Sequence, residues 1–287
     1  MALVSATAFG SLSILAKLAY AAGLGTYQLL AFRFVLAGAG MLVLAAVTRQ
    51  NPARLPRRRV AALFAVGAFI YTGQALTYFT ALRSLPASLC VLIVYVYPSL
   101  VVVAGWVFLR RRVSSWHGVA LGASFVGLVL LVGGAELRLS WALLLAVAAS
   151  VIYTAYIMVG ERVMAGVPAV SANALIMSGA ALSFCVLALA GGQLALPTTA
   201  GAWAAGLAIA VLPTMVAISF FMAALPRIGG ARAALLSTLE PVITVLLAVA
   251  LLGDRLSALQ VVGGALVLIA VVVVQAAHLW SPRAALR

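Results

Sequence analysis

Ten stretches of this chain are each apolar for about the distance needed to cross a lipid bilayer, and only short connectors separate them. They run approximately over 4–22, 27–48, 60–82, 87–109, 116–132, 141–159, 171–191, 202–225, 230–252 and 257–279. A hydrocarbon core about 30 Å thick asks for about twenty apolar residues per helix, twice what a barrel strand needs. Within lipid the backbone has no water to bond to, so stretches of this length close their hydrogen bonds as helices. The fold expected is therefore an all-α integral membrane protein of ten transmembrane helices with no separate soluble domain. Composition agrees: 66% of the 287 residues are hydrophobic, 8% are charged and the mean hydropathy is +1.25. A soluble domain of that size cannot be covered by so few polar groups.

Eighteen Lys and Arg stand against four acids. In a soluble protein that balance would raise nucleic acid as a partner, but here the arginines lie in the connectors, where they set orientation in the bilayer. An even number of spans puts both ends on one side. On that side fall thirteen arginines: Arg49, Arg54, Arg57 to Arg59, Arg110 to Arg112, Arg162, Arg227, Arg232, Arg283 and Arg287. Three fall opposite: Arg83, Arg138 and Arg255. The asymmetry predicts cytoplasmic termini, and with the arginines so placed no nucleic-acid partner is expected; a bacterial inner-membrane location goes with the family resemblance given below. The apolar start lacks a basic lead and is broken by Lys17, so it reads as a permanent first helix, not a signal peptide. Cys90 and Cys185 both fall inside apolar spans and read as small buried side chains. His117 and His278 sit at helix ends with no metal-ligand spacing, so no metal and no cofactor is expected.

Glu240 is the one acid placed deep in an apolar span, and Pro241 follows it. At the same place 143 residues earlier stand Tyr97 and Pro98. At that offset residues 81–114 match 224–257 at eight of 34 positions, among them Leu92/Leu235, Pro98/Pro241, Leu109/Leu252, Arg112/Arg255 and Ser114/Ser257. The net charge of the connectors does not repeat. Arg110 to Arg112 answer to Gly253, Asp254 and Arg255, and the basic connector 49–59 answers to the uncharged 192–202. Five helices per copy is odd, so the second copy would enter the membrane upside down. The expectation is a single membrane domain, 1–287, of two inverted five-helix repeats, about 4–132 and about 141–279, around a central cavity. Inverted repeats suit a site at their interface that opens alternately to each side.

A few residues within the spans can carry chemistry. Glu240 is expensive at mid-membrane unless hydrated, paired or protonated. It either lines the cavity and exchanges a proton, or is held by Ser237 or Thr244 on its own helix face. Pro241 removes a backbone donor and frees the carbonyl of Ser237. Pro98, Pro213 and Pro241 all fall near mid-helix and are candidate hinges, with lipid-facing kinks as the alternative. Lys17 and Arg33, on neighbouring helices, either reach outward to the membrane surface or form a cationic patch for a carboxylate. Phe9, Ser13 and Lys17 recur on one face of the first helix, and Tyr71, Gln74 and Tyr78 on one face of the third. Tyr95 and Tyr97 flank mid-membrane, and Tyr153 and Tyr156 lie on the sixth helix. Tyr71 and Tyr97 are too deep for an interfacial aromatic belt, whereas Tyr156 fits one. Aromatic walls with a few fixed polar groups suit a zwitterion with an apolar side chain; a packed core with bonded hydroxyls gives a similar pattern.

Ala31-Phe32-Arg33-Phe34, Tyr78 to Leu82 with Ser84, Pro98, Glu240-Pro241 and Leu252-Gly253-Asp254-Arg255 form a pattern over nearly the whole length. In that pattern the chain resembles the drug/metabolite transporter superfamily with two EamA-type halves, and within it the YddG-type aromatic amino acid exporters. One departure is Arg110-Arg111, where that family often has Gly-Glu. The resemblance implies ten helices around a central cavity and export of small metabolites, aromatic amino acids first among them. Lys17, Arg33, Tyr71, Gln74, Tyr78, Tyr97, Tyr153 and Glu240 are the expected substrate-binding set of a secondary transporter acting as a monomer. A drug or nucleoside-type exporter of the same fold is the alternative. An enzyme would need clustered acids, a metal set or a nucleophile with its base, and for a channel a lone Glu240 gives no charged ring unless chains assemble.

Overall fold

The computed structural model describes residues 1–110, 115–133, 140–228 and 236–280. The expectations placed on Arg111, Arg112, Arg138, Arg232, Arg283 and Arg287, on the start of the span 230–252, and on the matches at Ser114 and Leu235 lie outside those residues. So do the side chains of His117 and His278.

Among the described residues all regular structure is helical. In chain order the apolar rods are α1 (Ala2–Ala21), α2 (Thr26–Val47), α3 (Arg57–Ser84), α4 (Ala87–Phe108), α5 (Gly118–Gly133), α6 (Trp141–Val163), α7 (Ala169–Ala190), α8 (Ala200–Phe221), α9 (Leu239–Leu252) and α10 (Ala258–Ala276). Eight of them are long and apolar enough to cross a membrane, and α5 and α9 are shorter. The 22 residues of α2 span about 33 Å at 1.5 Å per residue, a match to the hydrocarbon core. Large apolar side chains such as Phe69, Phe108, Phe125 and Trp141 are 68–77% exposed. On a membrane protein such residues face lipid.

Several rods are not continuous, and the departures have local causes. α4 is interrupted at Tyr95–Val96 and α9 is preceded by a turn at Thr238, in each case three residues ahead of a proline, Pro98 or Pro241. Proline lacks the N–H and crowds the carbonyl one turn back, so the helix is pinched before it. α1 breaks at Ser11, whose hydroxyl donates to the carbonyl of Ala8 at 2.7 Å. No proline marks that break. Wide π-helical turns occupy Val66–Tyr71 in α3, Val211–Val216 in α8 and Ala248–Leu252 at the end of α9.

Packing partners come in corresponding pairs. α2 and α7 begin 143 residues apart, are each 22 residues long and lie against one another. They run antiparallel. At one end Ser171 Oγ donates to Gln50 O at 2.6 Å, and at the other Gln28 Nε2 donates to Ala195 O at 2.9 Å. α5 and α10 pack as extensively, with Gly127 and Gly263 at the crossing. A Cβ on Gly127 would lie 2.6 Å from the Gly263 carbonyl oxygen, and one on Gly263 2.7 Å from that of Gly127. α3 packs on α6 as α8 packs on α1, and α4 on α6 as α9 on α1. The interior is built of Ala and Leu around the fully covered rings of Phe34, Phe79 and Phe184.

The tightest approach joins the wide turn of α3 to α7. A Cβ on Gly67 would sit 1.9 Å from Ile176 O, and one on Gly179 2.2 Å from Phe64 O. Gly67→Ala is expected to force α3 and α7 apart and to lower stability by about 1–3 kcal/mol, the usual effect of overpacking. Gly118→Ala, where the added methyl meets nothing within 4 Å, is expected to be neutral or stabilising. Thermal unfolding in detergent compares them, and equal melting temperatures would contradict this packing.

Candidate functional site

Seven aromatic rings form a continuous wall through the middle of the bundle. Tyr95 contacts Tyr97 on α4 (5.7 Å between centroids), and Tyr97 meets Tyr153 of α6 edge-on (4.5 Å). Tyr153 stacks on Tyr156 (5.7 Å), which touches Tyr71 of α3 (5.1 Å). Tyr71 meets Phe34 of α2 (5.5 Å), which stacks on Phe184 of α7 (5.3 Å). Each hand-over between helices places rings at a distance favoured by aromatic pairs. Tyr71, Tyr97, Tyr153 and Tyr156 retain partial exposure although their rods lie inside the bundle, and so do Gln74, Lys17 and Glu240.

The wall joins two charged ends. At one end, Tyr95 Oη donates to Ser237 O at 3.3 Å, the carbonyl that Pro241 deprives of its helical partner. The Glu240 carboxyl lies beside the same phenol, with Tyr97 and Tyr153 also within its electrostatic reach. Pro241 thus supplies the acceptor, and Tyr95 completes it from another helix. Thr244 Oγ1 is shared between Glu240 O (3.0 Å) and Gly10 O (2.9 Å). Gly10 is the residue before the break in α1, and a Cβ there would meet Glu240 O at 3.0 Å. The interrupted part of α1 is therefore seated on the backbone that carries Glu240.

At the other end, Arg33 is 4% exposed and does not reach out to the membrane surface. Its Nε donates to Thr214 Oγ1 at 3.0 Å, and Thr214 Oγ1 donates to Ile209 O at 3.1 Å. Ile209 is the residue whose carbonyl Pro213 leaves without a helical N–H, so one threonine serves both the freed carbonyl and the buried cation. The guanidinium carbon lies 4.9 Å from the Phe34 centroid and 5.4 Å from that of Phe79, within cation–π range. Tyr71 and Tyr78 are its phenolic neighbours. Tyr78 hydrogen-bonds Ser13 of α1 at 2.5 Å and lies within electrostatic reach of both Glu240 and Arg33.

Lys17 faces a different acid. Its electrostatic partners are Asp254 and Cys90, whereas those of Arg33 are Tyr71 and Tyr78. Gly253, at φ +69°, ends α9 in the left-handed conformation that suits glycine. The next residue, Asp254, then reaches the start of α4, where its Oδ2 accepts from Ser88 N (2.9 Å) and Ser88 Oγ (2.7 Å). Pro86 precedes α4 and offers no side-chain cap, so the cap comes from α9. A carboxylate is favoured there by the helix dipole.

Of the expected set, Tyr71, Tyr78, Tyr97, Tyr153, Arg33 and Glu240 come together along the wall. Gln74 lies one turn from Tyr71 and Tyr78 on α3, and Lys17 stands nearer the Asp254 end. Sequence reasoning missed Thr214, Phe184 and the Asp254–Ser88 tie; it named Ser13 and Phe34 without giving them these contacts, and Tyr156 belongs to the wall as well as fitting a belt position. The one available signal was Thr214 beside Pro213: a hydroxyl next to a carbonyl-freeing proline. A recess of about 660 Å³ lined by Arg49, Asn51 and Arg54 at the end of α2 contains none of these residues. It is an open surface feature of the connector.

Comparison with known proteins identifies two matches to one family. The EamA-like transporter family matches residues 1–133 and again residues 140–275. Among solved structures, this chain is similar to a crystal structure with 22% sequence identity, over 98% of this chain and 97% of the other, with a TM-score of 0.68. At that identity the likeness is one of fold. No curated protein matches the chain.

The Thr214 junction is open to test. Thr214→Val keeps the shape and removes the hydroxyl, leaving Ile209 O and Arg33 Nε without that partner. A loss of about 1–3 kcal/mol of stability is expected, with Thr214→Ser restoring most of it. A valine variant that melts with the parent would show that the hydroxyl contributes nothing.

Proposed function

The chain belongs to the EamA-like transporter family, and from that premise we propose that it is a secondary exporter of amino acids, aromatic ones included, working by alternating access. Membership makes it a multi-pass membrane transporter of small molecules, and points away from catalysis. The observation that carries the finer reading is the phenolic wall between Glu240 and Arg33. An α-ammonium group finds a carboxylate at Glu240 and the hydroxyls beside it. An apolar or aromatic side chain finds ring faces at Tyr97, Tyr153, Tyr156 and Tyr71. Arg33, too covered to meet a solute directly, lies beside Tyr71 and gives the opposite end the positive potential that a carboxylate needs.

The mechanism rests on the two matched family segments. α2 with α7 and α5 with α10 are pairs of equivalent helices, and each pair packs together. The antiparallel run of α2 and α7 supports an inverted relation between the halves. In such a transporter the halves rock about a site between them. Pro98, Pro213 and Pro241 stand where rods are already interrupted or widened, and a change of backbone angle at those points breaks few hydrogen bonds. The Asp254–Ser88 tie, with Lys17 beside it, closes one end of α4 on α9 and serves as the gate on that side. The arginine asymmetry supports a reading in which this gate faces outward and the termini are cytoplasmic, in what we take to be a bacterial inner membrane. No cofactor is needed, and one chain contains both halves, so a monomer is sufficient. The partners are the solute and the bilayer.

Reconstituted protein preloaded with one amino acid is expected to take up labelled solute by saturable counterflow. A competition panel of amino acids, nucleosides and cationic drugs should show the aromatic amino acids competing best. Competition by nucleosides or drugs alone would select the alternative exporter, and chemical conversion of the solute would overturn transport. Glu240→Gln is expected to lower the rate at least about tenfold, the effect of losing one charge-assisted contact, and to abolish variation of rate between pH 5 and 8. Rates unchanged across that range in both proteins would reduce Glu240 to packing. Tyr97→Ala is expected to impair tryptophan and phenylalanine transport more than alanine transport, and an equal loss for all three would contradict an aromatic subsite.

A further inference from the structure

Behind the phenolic wall, on the flank formed by α4, α5 and α6, lies a second cavity of about 320 Å³. Its walls are apolar, with Ile93, Val96 and Leu100 from α4, Leu121 and Leu128 from α5, and Val147 from α6. Three serines interrupt them, one per helix: Ser99, Ser124 and Ser150. All three are 1–2% exposed, and none of their hydroxyls has a hydrogen-bond partner. They are half of the six buried side-chain polar atoms left without a partner among the described residues.

That arrangement is unusual for helical serines. A hydroxyl in a membrane helix ordinarily donates to the carbonyl three or four residues back, as Thr77, Thr154 and Ser178 do here. Ser99, Ser124 and Ser150 forgo that bond, and a buried unmet hydroxyl is costly. Three such groups from three helices bordering one cavity indicate an occupant that supplies the missing partners. Phe125 and Val151, which also line the cavity, are 68% and 54% exposed on the lipid-facing flank, so the route in is from the bilayer. The lining has no charged side chain, which excludes an ionic head group. Water fits poorly as the only content. The volume is about ten times the share of one water molecule, and most of the wall offers water nothing to bond.

We propose that this cavity is a binding site for an uncharged amphiphile drawn from the bilayer, with a hydroxyl or carbonyl head received by Ser99, Ser124 and Ser150. Its apolar body lies against the aliphatic wall. The site touches the transport machinery through the backbone. Ser99 follows Pro98 and stands two residues from Tyr97, Val96 belongs to the interruption of α4, and Ser150 is one turn from Tyr153. An occupant therefore braces α4 against α6 where the phenolic wall crosses between them.

The test uses the full-length protein in lipid nanodiscs and two photoactivatable probes: a diazirine-bearing long-chain alcohol and the corresponding alkane. The alcohol is expected to cross-link to peptides from α4, α5 and α6 around the three serines and to be competed by unlabelled alcohol. Its apparent affinity should exceed that of the alkane by about fivefold to tenfold, the worth of one net hydrogen bond. Ser99→Ala/Ser124→Ala/Ser150→Ala should erase that preference while melting at or above the parent temperature, because it removes three unmet hydroxyls. Equal labelling by alcohol and alkane would overturn the proposal, as would labelling elsewhere on the protein. A preference that survives in the alanine variant would overturn it too. If the triple variant is poorly folded, the single variants Ser124→Ala and Ser150→Ala are compared with the parent: each is expected to narrow the preference, and a preference unchanged in both would overturn the proposal.

Discussion

Lipid offers a polypeptide no hydrogen bonds, and the details of this structure follow from that constraint. A straight helix meets it unaided. At several of the points where a rod here departs from straightness, a carbonyl loses its partner and a side chain supplies one. Tyr95 serves Ser237 beside Pro241, and Thr214 serves Ile209 beside Pro213. Thr72 Oγ1 serves Gly67 O at 2.9 Å, and Ser183 Oγ serves Ala68 O at 2.8 Å, in the wide turn of α3. These repairs make the interior polar at chosen points.

The repair at α3 also explains how close the bundle can be. A wide turn brings the backbone of Gly67 against Ile176, where no side chain fits, and puts Tyr71 at its far end facing Phe34 and Tyr156. At α8 the corresponding loosened turn lodges Thr214 under Arg33. The guanidinium there lies over the rings of Phe34 and Phe79 as a fixed source of positive potential. On α9 the pinch before Pro241 presents Glu240 toward Tyr95. Helix distortion, aromatic wall and charge placement are thus one arrangement, and altering any one of them disturbs the other two.

Much of this was legible in the sequence. Span length gave the helices, and the offset between Tyr97-Pro98 and Glu240-Pro241 anticipated equivalent interruptions, which fall at Tyr95–Val96 and Thr238. The freed carbonyl at Ser237 followed from Pro241 alone. What the sequence hid were contacts between distant segments. Nothing local marks Tyr95 as the donor to Ser237, or Ser13 as the partner of Tyr78. The break at Ser11 carries no proline, and the wide turn at Val66–Tyr71 has none either, so both arise from packing. Asp254 reads locally as a loop acid, and only the folded chain brings it to Ser88, 166 residues away. Lys17 and Arg33 look alike by depth and composition, yet the tertiary structure gives them different partners.

The central claim is that the space along the phenolic wall is a passage open by turns to each side of the membrane. Tyr153→Cys, in a chain with Cys90 and Cys185 replaced by alanine, places one thiol on that wall. Reconstituted protein of known orientation is then treated with a membrane-impermeant thiol reagent from one side or the other, with and without a transported amino acid. The account predicts modification from both sides and protection by the solute. A thiol that reacts from neither side, or reacts at a rate the solute leaves unchanged, would contradict it.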